Sequence, residues 1–229
     1  MKLVKLRVRG FQSFSDSGEI EFSDGINLIV GQNNTGKSSL LRALQPTFVD
    51  DRHRTPEKWA THQLALPSVD ITVSFRGTEI REGVLRFDRQ VIPTNATSTE
   101  PGTFLHMLWD LPAIEISLTH GPGAAFAAAR YPSHGLFTFS QGDQSSAFIA
   151  SPHAGEVVGG LSFTNQDTLP DLAGRFWAED MFWFAPERFA VGACGHGYAT
   201  RLSPNASNLP LVLQTLYGLR GDVFRKLVT

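Results

Sequence analysis

The stretch at residues 31–38, Gly-Gln-Asn-Asn-Thr-Gly-Lys-Ser, constrains the fold of this chain more than any other feature. It fits G-x-x-x-x-G-K-[ST], which forms a phosphate-binding loop when a buried strand precedes it and a helix follows. The apolar run at residues 26–30 predicts a short strand buried on both faces. Leucines at helical spacing over residues 40–44 predict a helix, which Pro46 ends or kinks. The pattern therefore predicts an α/β P-loop fold.

Each residue type in this loop has a chemical reason to be there. Glycines permit backbone angles that turn successive N–H groups inward around an anion. Lys37 is a compact positive charge for the β- and γ-phosphates, which marks it as the catalytic residue, and the Ser38 hydroxyl is a ligand for Mg²⁺. The alternative interpretation is a glycine-rich turn with a solvated lysine. We expect a nucleotide and Mg²⁺ as ligands, with nine binding residues: Gly31, Gln32, Asn33, Asn34, Thr35, Gly36, Lys37, Ser38 and Ser39.

The rest of the chain predicts further strands and two late helices. Apolar residues predict strands at residues 4–8, 18–22, 69–75, 84–91 and 113–118. Two helices are expected near the end, one capped by Ser207 or Asn208 and one capped by Asp222.

Two segments between these elements have an unusual composition. The Gly-, Ala- and Ser-rich stretch from residue 120 to about 165 predicts an insertion of short antiparallel strands and loops. The second half of the aromatic run at residues 176–184 predicts a buried strand, and its rings suit core packing or a protein interface better than base stacking.

Composition excludes several classes of protein. The chain has 229 residues, a net charge of −2 and 41% hydrophobic residues, so neither disorder nor global attraction to nucleic acid is expected. The single cysteine, Cys194, excludes an internal disulfide framework and suits a reducing cytoplasm. No apolar run of about 18 residues predicts a transmembrane helix, and the charged N-terminus is unlike a signal peptide.

Residues 3–44 resemble the N-terminus of ABC-type ATPase heads of the SMC, RecF and OLD (overcoming-lysogenization-defect) group. The resemblance includes Gly-Phe-Gln-Ser-Phe at residues 10–14, the Ile-Glu-Phe strand, the G-x-x-x-x-G-K-S loop and the helix after it. Gln12 occupies a position where that group often has an arginine near the nucleotide. A second match joins residues 182–192 and 202–216 to a strand and a helix found late in the first half of such heads.

The resemblance implies a head lobe with a mixed sheet and an antiparallel β-lobe, covering residues 1–229. It implies that two heads of a homo-oligomer sandwich two ATP molecules, and that the work is DNA repair, recombination or defence against phage, with DNA or an effector such as a nuclease as partner. A scaffold that binds ATP without hydrolysing it is an alternative. A transporter subunit is a weaker one, since transporter heads do not usually open with the Phe-x-Ser-Phe and Ile-x-Phe arrangement, and no membrane partner is expected.

The motifs that complete such a head do not appear in the sequence. Asp110 and the pair at residues 179–180 do not follow an apolar strand, as the acid of a Walker B strand should. Residues 140–144 resemble the ABC signature only slightly. Gln63 and Gln141 are candidates for the family's Q-loop glutamine, with an exposed polar loop residue as the alternative interpretation, and Arg188 stands at the family's late arginine. We therefore predict an incomplete head that does not hydrolyse ATP by itself.

Overall fold

The computed structural model describes residues 1–45, 66–94, 100–122, 128–131, 145–182, 184, 197–203 and 205–228. It divides the chain into two compact units, Met1–Glu179 and Asp180–Thr229. The elements follow one another as β1 (Lys2–Phe11), β2 (Phe14–Asp16), β3 (Ile20–Glu21), α1 (Lys37–Ala43), β4 (Ser68–Phe75), α2 (Gly77–Phe87), β5 (Gln90–Pro93), α3 (Pro101–Trp109), β6 (Ile114–His120), β7 (Ala128–Arg130), β8 (Ser145–His153), β9 (Glu156–Thr164), α4 (Leu169–Asp180), α5 (Leu209–Leu219) and α6 (Gly221–Val228). The α/β class predicted from the sequence is confirmed.

The first sheet of the larger unit is built around β1 and β4. Its order is β2-β1-β4-β6-β7, with β3 also paired to β1, and all of these pairs are antiparallel. Apolar and polar residues alternate along β4 and β6, so one face of the sheet is buried and the other carries polar groups. The pairing places Leu6 opposite Ile71, and Ile71 opposite Leu118, which gives a continuous apolar layer across three strands.

The second sheet has the order β5-β8-β9 and packs against helices. Its β8–β9 hairpin turns at Ala154 and Gly155, both with positive φ, as a two-residue hairpin loop requires. The ring of Phe148 stacks on Phe104 of α3 with centroids 4.5 Å apart. A Cβ at Gly159 would lie 2.2 Å from the Phe148 ring, so the strand needs glycine there. The β8–β9 hairpin falls within residues 120–165, but whether the stretch is an insertion stays a prediction.

The predicted strand at residues 84–91 is wrong. Residues up to Phe87 form α2, and only the last part of the stretch enters β5. The side chains of Ile80 and Val84 are buried on one helical face, and a Cβ at Gly83 would lie 2.6 Å from a Leu172 methyl group. The buried residues of this segment therefore recur at helical spacing, and the helix packs against α4. A short apolar run is compatible with a strand as well as with a helix, which explains the wrong prediction. Helix α3, which begins at a proline, was not predicted at all.

The predicted buried strand at residues 26–30 is also wrong. The segment is in no strand, and its side chains are exposed: Ile26 by 95%, Leu28 by 82% and Val30 by 76%. A strand needs a partner, and β1 is already paired on one edge with β4 and on the other with β2 and β3. Among the described residues, no strand pairs with residues 26–30. The residues have the apolar composition of a buried strand, but a strand is buried only when another strand pairs with it.

The smaller unit contains the two late helices that the sequence predicts. α5 begins after Asn208, as expected, and α6 begins one residue before Asp222. The rings of Tyr217 and Phe224 join these helices edge to face, with centroids 5.3 Å apart. No helix in the described parts of either unit is long and apolar enough to cross a membrane.

The strand predicted for the second half of residues 176–184 is wrong where the structure describes it. Phe176 and Trp177 lie in α4, whereas Phe182 and Phe184 lie outside any strand and are half exposed. Arg201 lies over the Phe182 ring at 4.8 Å, which gives this ring a cation contact in the smaller unit.

Glycine at position 77 is required by the contact between α2 and α3. A Cβ there would lie 1.9 Å from the carbonyl oxygen of Leu108, which belongs to the backbone and cannot rotate away. We expect Gly77→Ala to lower the free energy of unfolding by about 2–3 kcal/mol, as overpacking does, measured by urea denaturation. Gly102→Ala is the matched control, because nothing lies within 4 Å of its new Cβ. Equal stabilities of the two variants would contradict this packing.

A half-buried carboxyl group gives stability an unusual pH dependence. The Tyr131 hydroxyl donates to Asp167 Oδ2 at 2.7 Å, and the Leu169 N–H donates to Oδ1 at 3.0 Å. Burial, with repulsion from Asp171, raises the pKa of Asp167 to about 6. Since the pKa is raised above the unfolded value of 3.8, the folded state binds this proton more tightly than the unfolded state.

We therefore expect Asp167 to contribute stability that is fully present below pH 3.8 and lost as the pH rises through 6. In Asp167→Asn this dependence disappears, because the amide does not titrate; its oxygen can accept from the Leu169 N–H while its NH2 group donates to the Tyr131 hydroxyl oxygen. The difference in unfolding free energy between wild type and variant should change by about 1–3 kcal/mol between pH 7 and pH 4. Urea denaturation across that range measures it, and a constant difference would contradict the assignment.

Candidate functional site

The G-x-x-x-x-G-K-S loop lies between the exposed segment 26–30 and α1. Two of its residues have left-handed backbone angles, Asn34 with φ 67° and Gly36 with φ 89°. Alternating right- and left-handed residues turn neighbouring N–H groups toward one point, which is the geometry of an anion nest. Gly36 also approaches the β1–β2 turn closely, because a Cβ there would lie 2.9 Å from the Phe14 ring. Both constraints require glycine at position 36.

Lys37 is held across this loop by the loop's own backbone. Its Nζ donates to the carbonyl oxygens of Gly31 at 2.7 Å and Gln32 at 2.5 Å. The Thr35 hydroxyl donates to the same Gln32 carbonyl at 2.9 Å. The lysine amine is therefore directed into the loop by neutral acceptors, and an anion would be a stronger partner for it.

A cavity of about 300 Å³ opens at the loop. Six of the nine nucleotide-binding candidates line it: Asn33, Asn34, Gly36, Lys37, Ser38 and Ser39. Gly31, Gln32 and Thr35 are not among the lining residues, and their bonds within the loop shape it. Backbone amides, an amine and hydroxyls surround the same space, which suits a phosphate group.

One residue that lines this cavity was not predicted. Ser13 reaches it from the turn between β1 and β2 and is exposed to solvent. Its Oγ lies 3.2 Å from Oγ of the buried Ser39 in α1, so the two hydroxyls share a hydrogen bond. The sequence comparison with ATPase heads drew attention to this turn through Gln12, and the neighbouring serine was overlooked.

The Ser38 hydroxyl is placed where it could be a ligand for Mg²⁺. Ser38 lines the cavity and is exposed, so its hydroxyl is accessible to a cation that also binds phosphate oxygens. The described ranges contain no group of three or more His, Cys, Asp or Glu residues that could hold a metal ion. At Ser38 a bound Mg²⁺ would take its further ligands from phosphate oxygens and from water.

The acidic residues weighed as Walker B candidates have other surroundings. Asp110 caps the C-terminal end of α3 and is exposed, and Glu179 pairs with Arg86 near the end of α4. Neither lines the cavity at the loop. The signature-like residues 140–144 and the candidates Gln63, Gln141 and Arg188 lie outside the described residues.

A second cavity, of about 370 Å³, lies on the polar face of the first sheet. Its cations are already paired, Lys5 with Glu19, Arg7 with Asp16 and Arg9 with Asp70. Hydrogen bonds from Arg7 and from the Gly18 N–H lower the pKa of Asp16 to about 2. Because each of these basic side chains forms an ion pair with an acidic one, this face of the sheet is not a positively charged surface.

Comparison with known proteins agrees with the loop motif. Residues 1–103 match the model of the family described as AAA ATPase domain. The chain is 52% identical over 46 residues to the DNA double-strand break repair Rad50 ATPase of Archaeoglobus fulgidus, which covers 20% of this chain and 5% of that protein.

Two further relatives have other names and functions. The chain is 52% identical over 44 residues to the chromosome partition protein Smc of Halobacteriovorax marinus, covering 19% of this chain and 4% of that protein. It is 51% identical over 47 residues to the DNA replication and repair protein RecF of Chloroherpeton thalassium, covering 20% and 12%. The chain thus matches only a small part of each relative's length. Residues 1–103 are therefore similar to an AAA ATPase domain, and the relatives of the chain are Rad50, Smc and RecF proteins.

Proposed function

We propose that this chain binds ATP with Mg²⁺ at the loop of residues 31–38, as the N-terminal lobe of an SMC/RecF/OLD-like ATPase. The observation that carries the proposal is the cavity at this loop, where the nest, Lys37 and Ser38 meet. It lies within the segment that matches the AAA ATPase domain. A solvated glycine-rich turn would need neither the left-handed Asn34 nor a lysine directed back into the loop.

The residues of the loop divide the work of holding a triphosphate. The N–H groups of the nest bind phosphate oxygens, and Lys37 exchanges its two carbonyl partners for the β- and γ-phosphates. Ser38 holds Mg²⁺, which when bound neutralises phosphate charge. Lys37 then stabilises the charge that develops on the transferred phosphoryl group, which is its catalytic role.

Hydrolysis needs an acidic residue to organise Mg²⁺ and the attacking water, and no acidic residue of this sequence has the Walker B context. We propose that further polypeptide brings this residue and the signature. The exposed side chains of Ile26, Leu28 and Val30 support the proposal, because this segment immediately before the loop has the composition of a central strand. An apolar strand from the completing polypeptide would bury them.

The wider role follows from the relatives. Their names concern DNA break repair, chromosome partition and replication, which supports a role in DNA repair. The resemblance to SMC, RecF and OLD heads adds recombination and anti-phage defence to the proposal, and we propose that the chain works in the cytoplasm. Two copies would join through their heads around ATP, with DNA or an effector such as a nuclease as partner. The missing Walker B context favours one alternative, a scaffold that binds ATP and assembles partners without turnover.

The decisive variant for nucleotide binding is Lys37→Ala. Loss of a charged donor to phosphate should weaken Mg·ATP binding about 10- to 100-fold, measured by isothermal titration calorimetry. Lys226→Ala is the matched control, because that lysine is exposed on α6 in the other unit. An affinity unchanged by Lys37→Ala would contradict the proposed site.

Turnover separates the ATPase from the scaffold. We expect the 229-residue chain to bind Mg·ATP without releasing phosphate above background, because the acidic residue that organises water is not supplied. Phosphate release that Lys37→Ala abolishes would contradict this expectation. When the completing polypeptide is added, release identifies an ATPase head, whereas oligomerisation without release identifies a scaffold.

A further inference from the structure

The turn between β1 and β2 is a separate part of the nucleotide cavity. The cavity is lined by six residues of the loop and α1, and by Ser13, which lies at least 20 positions earlier in the sequence than any of them. The Ser13 side chain is exposed, so its hydroxyl is accessible to a ligand in that space. The cavity therefore has a wall that the G-x-x-x-x-G-K-S motif does not encode.

Contacts with the loop hold this turn in place. The missing side chain of Gly36 allows the Phe14 ring to approach, and a Cβ there would also lie 3.3 Å from Cβ of Ser13. On the other side, the Ser13 hydroxyl bonds the buried Ser39 hydroxyl at 3.2 Å. A hydroxyl has one proton and two lone pairs, so when Ser39 donates, Ser13 keeps its own proton for a phosphate oxygen.

The β1–β2 turn contains an unfavourable backbone conformation and a buried polar atom, both at Gln12. Phe11 pairs with Phe14 across a two-residue turn, and its first residue, Gln12, has φ 45°. This region favours glycine or asparagine. The Gln12 side chain is only 5% exposed, and its Oε1 has no hydrogen-bond partner among the described residues. Conformations of this kind persist where the surroundings fix them, and they cluster at binding sites.

We propose that Ser13 is a phosphate-binding residue of the nucleotide site and that the β1–β2 turn positions it. Its hydroxyl donates to a phosphate oxygen of bound ATP, beside the donors of the loop. The inference rests on the proposed function, because it needs ATP in the cavity at residues 31–38. It adds a direct link between the first hairpin of the fold and the nucleotide.

The test is Mg·ATP binding by the full chain carrying Ser13→Ala. We expect about a 5- to 10-fold loss of affinity, typical of one neutral donor to a charged group. Inorganic tripolyphosphate should lose affinity by the same factor, because the contact is with phosphate. Ser13→Thr, which keeps the hydroxyl, should bind within about twofold of wild type. Ser74→Ala is the matched control, since that serine lies on the polar face of β4.

Each outcome decides the proposal. Wild-type affinity in Ser13→Ala overturns it, and the proposed function stands if Lys37→Ala still weakens binding. A loss for ATP without a loss for tripolyphosphate overturns the phosphate contact. Absence of ATP binding by the wild type overturns both proposals. Circular dichroism and thermal melting exclude unfolding, and Ser13→Thr keeps the test valid where Ser13→Ala is unstable.

Discussion

The pairing of β1 along both of its edges is the constraint on which the rest of the structure depends. β4 occupies one edge and the short strands β2 and β3 occupy the other, so no edge remains for the segment at residues 26–30. The chain therefore leaves the sheet after β3. Among the described residues, no strand pairs with residues 26–30 before the chain reaches the phosphate-binding loop. The same pairing fixes the turn at residues 12–13 beside α1, because Phe11 and Phe14 close it. One strand thus places the wall of the cavity that Ser13 lines.

The sequence predicted best the elements whose partners are local or whose pattern is long. The alternation in β4 runs over eight residues and was unambiguous, and the helix after the loop was indicated by its leucines. α2 was missed because its buried face is short and contains Gly83, which the close approach of Leu172 requires. The strand predicted at residues 26–30 was wrong because the prediction rested on composition alone. Their composition is that of a buried strand, but burial depends on a partner that composition does not name.

The candidate site divides in the same way. The loop, Lys37 and Ser38 follow from the motif, because a continuous stretch of chain creates the nest. Ser13 does not follow, since its place in the cavity depends on how β1, β2 and α1 pack. The contact of Phe14 with Gly36 shows why a tertiary contact cannot be predicted from a motif. A glycine in a motif can be explained by its backbone angles alone, and here a tertiary contact also excludes a side chain.

The loop has one fixed half and one adaptable half, and this division bears on how it would bind a nucleotide. Gly36 is fixed by Phe14, whereas the carbonyls of Gly31 and Gln32 are held by Lys37 itself. Phosphates that take the lysine release those carbonyls, so binding acts on the backbone that continues into residues 26–30. A strand that pairs with residues 26–30 would order that same backbone. Linkage requires only that strand pairing changes the ATP affinity by the same factor by which ATP changes the affinity of the pairing.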